Sequence, residues 1–170
     1  GTLAIAGGTN RLFSNLVVGN TANSTGTVLV TGGQLVVTNN ITTLGQNGNG
    51  QMIVSNGVVF TRDVSVGRAA GSHGTLTVAG GTNTVSGNLI VGEFANATGS
   101  VWVTGGRLVN SGTIISVGNS GAGQVIVSNG TVRTPGMLVG ASAGQTGTLT
   151  VAGGNTSVYS NLTVGFIACT

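Results

Sequence analysis

The chain repeats itself every 24 or 25 residues. Cuts before Gly1, Gly26, Gly50, Gly74, Gly99, Gly123 and Gly147 divide it into seven units. Their first eight residues read GTLAIAGG, GTVLVTGG, GQMIVSNG, GTLTVAGG, GSVWVTGG, GQVIVSNG and GTLTVAGG. A longer period lies on top. Units 1, 4 and 7 match one another, as do 2 and 5, and 3 and 6, so Gly1, Gly74 and Gly147 stand 73 residues apart. Biased composition scatters similar residues but does not hold a register. A register kept over 170 residues marks one supersecondary unit used again and again.

Three glycine columns punctuate each unit. The first is formed by the residues at which the units begin. The second is Gly8, Gly33, Gly57, Gly81, Gly106, Gly130 and Gly154, and the third is Gly19, Gly45, Gly67, Gly92, Gly118, Gly140 and Gly165. Together they hold 21 of the 33 glycines, so most glycine here is positional. Glycine permits positive φ or a close backbone approach, and these columns are read as structural corners. The residue before the second column is Gly or Asn (Asn56, Asn129). Asn is the side chain that most readily joins Gly in the left-handed region.

Between the glycines the pattern alternates with period two. Positions three and five of each unit are Leu3/Ile5, Val28/Val30, Met52/Val54, Leu76/Val78, Val101/Val103, Val125/Val127 and Leu149/Val151. Period two sends them to one side of a strand. Leu12, Leu35, Val59, Val85, Leu108, Val132 and Val158 mark a second strand. Leu16/Val18, Val64/Val66, Leu89/Val91, Ile115/Val117 and Leu162/Val164 mark a third.

Three short strands cannot bury enough apolar surface to offset their own ordering. They become stable when each bonds to its equivalent in the units before and after, which makes the sheets parallel. The corners are too short for crossover helices. The expected fold is therefore all-β, a right-handed parallel β-helix, because parallel crossovers are right-handed in about 98% of cases. It has seven coils of 24–25 residues, three short strands per coil, and a 73-residue super-repeat of three coils. Residues 1–170 form a single array. No polar cap is visible at either end, and the array is expected to be a segment of a longer repeat protein or to stack end-on upon other molecules.

Two details test this register. Arg68 and Glu93 each follow a third-column glycine in adjacent units and should form a stacked surface ion pair. Position four points outward and reads Ala4, Leu29, Ile53, Thr77, Trp102, Ile126 and Thr150. Leu29, Ile53, Trp102 and Ile126 make an apolar column where water-facing residues should be polar. Val36 and Phe60 point outward in the second strand. A repeated exposed apolar column marks an interface, so these six residues are the candidate interface for lateral self-association.

Little chemistry is available. Seven residues are charged: Arg11, Arg62, Arg68, Arg107, Arg133, Asp63 and Glu93. The five Arg are scattered along the sequence without interleaved aromatics, so nucleic-acid binding is not expected. No run of about 18 apolar residues exists, so no membrane insertion is expected. Glycoside chemistry needs paired carboxylates, whereas Asp63 and Glu93 fall on different segments of adjacent coils. His73 has no second His and no carboxylate at ligand spacing. No catalytic, metal or cofactor residue is assigned, and the chain is expected not to be an enzyme. Thr-x-Thr occurs in the first strand only at Thr75/Thr77 and Thr148/Thr150, too irregular for an ice-binding ladder. The lone thiol, Cys169, reads as a small loop side chain.

The unit G-T-L-T-V-x-G-G followed by L-x-V-G resembles the short glycine-rich repeats of bacterial autotransporter passengers and of very large surface proteins of Gram-negative bacteria. Units 4 and 7 carry it best, as GTLTVAGG with NLIVG and NLTVG. The resemblance implies an exported protein at the bacterial cell surface or outside the cell, used as fibre, stalk, coat or adhesin. Its implied partners are copies of itself, laterally or end-to-end, and, for an adhesin, surface glycans.

Overall fold

The computed structural model describes residues 1–142 and 144–165. Cys169 lies outside the described residues. The chain winds as a right-handed parallel β-solenoid of seven turns. One sheet stacks Thr2–Ile5, Thr25–Val30, Asn49–Val54, His73–Val78, Thr98–Val103, Ala122–Val127 and Gly147–Val151. This is the first face. Every neighbouring pair is parallel and in the expected register, so Gly26, Gly50, Gly74, Gly99, Gly123 and Gly147 stand one on another.

The second and third faces share one sheet. The second is built from Thr9–Arg11, Thr82–Val85, Arg107–Asn110, Thr131–Thr134 and Asn155–Val158; the third from Leu16–Val18, Leu89–Val91, Ile114–Val117, Gly136–Val139 and Leu162–Val164. Coils 2 and 3 depart from three strands per coil. There the second and third strands fuse into Gln34–Leu44 and Val58–Val66. The reason is local. In coils 4, 5 and 6 the corner between these faces holds Ser86–Gly87, Ser111–Gly112 or Pro135–Gly136, which break extended backbone. In coils 2 and 3 it holds residues 38–40 and Thr61–Arg62–Asp63, and the chain turns through a bulge between Val37 and Ile41 without leaving the ladder.

The core is the inward row of all three faces. Val30, Val54, Val78, Val103 and Val127 on the first face are wholly buried, as are Leu44, Val66, Val91 and Val117 on the third. The second face carries two inward columns. Leu35, Val59, Asn83, Leu108, Val132 and Thr156 form one; Val37, Thr61, Val85, Asn110, Thr134 and Val158 form the other. Val85 and Val158 therefore belong to a different column from Val59. The shift is two residues, and since strands alternate with period two it preserves the inward side. It also places polar residues inside. Asn110 is satisfied there: its Nδ2 donates to Ile114 O at 2.8 Å, and Gly112 N donates to its Oδ1 at 2.9 Å, bracing the corner.

The glycine columns do different work. The third-column glycines from Gly19 to Gly140 turn the corner into the next coil, and all seven of that column have φ between 68° and 74°. In the second column Gly8, Gly33, Gly81 and Gly154 also have positive φ, but Gly57, Gly106 and Gly130 do not. Asn56 and Asn129 are not left-handed; Asn23 and Asn96 are, with φ of 63° and 62°. First-column glycines after Gly1 lie inside strands rather than at corners, with ordinary φ. A Cβ on Gly74 would run into Gly67 N and Leu44 O. Close backbone approach across the corner, not backbone conformation, requires glycine there.

Candidate functional site

The outward faces carry the residues that the sequence singles out. On the first face the ladder sets Ala4, Leu29, Ile53, Thr77, Trp102, Ile126 and Thr150 in a single column. Leu29, Ile53, Trp102 and Ile126 are all half-buried, so each keeps part of its apolar surface in solvent. Strand alternation puts Thr2, Thr27, Gln51, Thr75, Ser100, Gln124 and Thr148 in a parallel column two residues earlier. The face carries one polar row and one largely apolar row, the latter interrupted at Thr77 and Thr150.

On the second face the outward column runs Arg11, Val36, Phe60, Thr84, Val109, Arg133 and Ser157. Phe60 is half-buried. Val36 points outward as expected but is only 7% exposed, covered between its ladder neighbours Arg11 and Phe60. It offers a partner little surface.

The charges are less scattered than the sequence suggests. Arg62 pairs with Asp63 at 3.4 Å and Arg68 with Glu93 at 3.4 Å. The other three, Arg11, Arg107 and Arg133, are exposed on the second face and make no ion pair among the described residues. Folding thus gathers the uncompensated side-chain charge on one face, through the strand ladder rather than through sequence proximity.

Arg68 and Glu93 stack as the coil register requires, but their pair is not open to solvent. The Glu93 side chain is 14% exposed. Ser65 Oγ donates to its Oε2 at 2.6 Å. In the next coil Ser116 Oγ donates to Asn119 Oδ1 at 3.2 Å, and Asn119 Nδ2 donates to Glu93 O at 3.2 Å. Side chains from the start of the third corner fold back over the third face and cover its outward serines. That covering depends on tertiary stacking and leaves no local signal in sequence.

Asp63 is likewise absorbed by the fold: Asn88 N donates to its Oδ1 at 2.9 Å. Asp63 and Glu93 are held by different partners on different segments. His73 is exposed in the ladder between Asn49 and Thr98. Among the described residues no three His, Cys, Asp or Glu side chains gather into a metal-binding group. Nor, among the described residues, is any helix long and apolar enough to cross a membrane.

No protein-family model, curated protein or solved structure matches the chain. What it shares with other proteins is architecture: an all-β, right-handed solenoid built of stacked repeats.

Proposed function

We propose that this chain is a non-enzymatic structural solenoid of an extracellular bacterial fibre or surface protein, which associates laterally with copies of itself through its first face. The observation that carries this reading is the partly exposed column Leu29, Ile53, Trp102 and Ile126 on a strip of in-register parallel strands. Strips with matching rung spacing can lie against one another. The magnitudes fit an association that needs high local concentration. Burying the exposed part of four such side chains, roughly a third of each at most, on each of two copies yields up to roughly 4–8 kcal/mol. Lost translational and rotational freedom costs roughly 4–15 kcal/mol. A fibre or surface layer supplies the local concentration that dilute solution does not.

The location outside the cell is supported by the likeness of the repeat unit to surface-protein repeats. A rod with few charged residues, its backbone bonded coil to coil, also offers proteases few extended loops.

Analytical ultracentrifugation over a wide concentration range, with electron microscopy at the upper end, tests the proposal. The native chain should form dimers or bundles. The variant Leu29→Thr/Ile53→Thr/Trp102→Thr/Ile126→Thr should stay monomeric with an unchanged β-rich circular dichroism spectrum. A native chain that remains monomeric at millimolar concentration sinks the reading. A second reading, an adhesin-type module holding surface glycans, is favoured by Trp102, a half-exposed ring beside the polar row of the first face. Affinity for a glycan lost on Trp102→Ala, with no lateral assembly, would select it.

A further inference from the structure

The third corner comes in two lengths. Seven residues turn it in coils 1, 3, 4 and 6 (residues 19–25, 67–73, 92–98 and 140–146), and five in coils 2 and 5 (residues 45–49 and 118–122). Each long corner has a left-handed residue four places after its glycine: Asn23, Gly71, Asn96 and Gly144. That residue lets the corner project as a tip, closed by Ser24 N donating to Thr21 O at 3.0 Å and, in coil 3, by Ser72 N donating to Ala69 O at 3.0 Å. The short corner of coil 2 stays flat against the body. Gln46 N, Asn47 N and Gly48 N all point at Gly19 O, at 3.1, 3.2 and 3.0 Å.

A flat corner between two projecting tips leaves a slot. The tips of coils 1 and 3 are two rungs apart, so the opening between them is about one rung, ~4.8 Å. Between coils 3 and 4, where two long corners are adjacent, Gly71 N donates to Asn96 O at 2.9 Å and no slot opens. The recess over coil 2 has a volume of about 350 Å³ and is lined by Ala22, Asn23, Asn47, Asn49, Ala70 and His73, with the backbone of Gly48 and Gly71.

Its chemistry is specific. The two walls carry the methyl groups of Ala22 and Ala70. The floor and edges carry three carboxamides and an imidazole. Asn47 Nδ2 is committed to Asn20 O at 2.8 Å, which leaves its Oδ1 as an acceptor. No charged side chain lines the recess. A slot one ring thick, apolar on its walls and rich in neutral donors and acceptors below, matches a pyranose, which has apolar faces and hydroxyls around its edge. We propose that this recess binds a single neutral sugar ring. The recess lies at the corner, at the start of the first-face strands and two coils from Trp102, and its test reads a different ligand and different residues from the test of lateral association.

The repeat supplies an internal control. Coil 5 has the same short corner between long ones, but Asn47, Asn49 and His73 are replaced there by Ser120, Ala122 and Thr146, while Asn23 is matched by Asn96. The short corner recurs and the amide floor does not.

The experiment is titration of the ¹⁵N-labelled chain with methyl glycosides of glucose, mannose, galactose and N-acetylglucosamine, followed by amide shifts. One or more should move Asn47, Asn49 and His73 with a Kd of about 1–10 mM, leaving Ser120, Ala122 and Thr146 still. Asn49→Ala or His73→Thr should weaken binding by about tenfold. His73→Thr introduces the residue found at the equivalent place in coil 6, so the fold tolerates it. The triple change Ser120→Asn/Ala122→Asn/Thr146→His should create a second responding site. No response to any of the four sugars overturns the proposal, as does an equal response of both recesses in the native chain, or unchanged binding by both single variants.

Discussion

At the scale of single residues, glycine is required for two separate physical reasons, and substitution separates them. Gly71 has φ of 75° and open space around its Cα, so Gly71→Ala carries only the left-handed strain of an L-residue, about 1–2 kcal/mol. Gly74 has ordinary φ but faces backbone atoms of Gly67 and Leu44, which cannot rotate away. Gly74→Ala should cost more, about 3 kcal/mol, through forced separation of two strands at the corner. Gly7 has neither constraint, and Gly7→Ala should stay within about 0.5 kcal/mol. Urea midpoints of the three variants give the order directly; equal losses at Gly71 and Gly74 would refute the distinction. Asn83 makes the opposite case. It is 1% exposed, its Oδ1 has no hydrogen-bond partner among the described residues, and its ladder neighbours are Val59 and Leu108. Asn83→Leu should raise stability by about 1–3 kcal/mol, since an unsatisfied buried carbonyl is replaced by a side chain of similar size. The same urea titration reads it as a higher midpoint.

At the scale of elements, the corner between the second and third faces is held by different devices in different coils. In coil 5 Asn110 braces it from inside. In coils 3 and 4 Asp63 does so from outside, its Oδ1 taking the Asn88 N–H of the coil above. Asp63→Ala leaves that partly buried N–H without its partner and should cost about 1–2 kcal/mol. Asp63→Asn, which keeps the carbonyl acceptor, should recover most of the loss. If the two substitutions cost the same, Asp63 acts through its ion pair with Arg62 instead. That pair is well exposed and is expected to contribute less than about 1 kcal/mol. The Asp63 role was not legible in sequence, where Asp63 reads as a surface neighbour of Arg62. Its decisive contact is to the next coil, 25 residues away.

At the scale of the whole molecule, the 73-residue super-repeat is a pattern of corner lengths: long, short, long. A deletion that respects it should fold, and one that breaks it should not fold as well. Removing residues 74–146 joins coil 3 to coil 7 with every column and corner in phase. The product should retain a parallel-sheet circular dichroism spectrum and unfold cooperatively, with a urea m-value reduced roughly in proportion to the surface lost. Removing residues 99–122, a single coil, deletes the second short corner and sets three long corners in succession at coils 3, 4 and 6. It should lose more stability per residue removed. Equal stability per residue in both products would show that corner phase has no energetic weight.

The sequence by itself determined the coil: its period, the side of each strand that faces inward, the stacking of like on like, and hence parallel sheets in a solenoid. These follow from short-range patterns, glycine spacing and period-two alternation, which act within one unit and are merely copied to the next. Tertiary structure decided what depends on neighbouring coils. It covered Val36 between Arg11 and Phe60, and drew Glu93 under Ser65 and Arg68. It also placed three arginines on one face and opened a slot where the short corner of coil 2 lies between two long ones. Each of these depends on residues about one coil or more apart in the chain. Their energies are set by what the stack above and below presents, and no reading of one unit alone contains that.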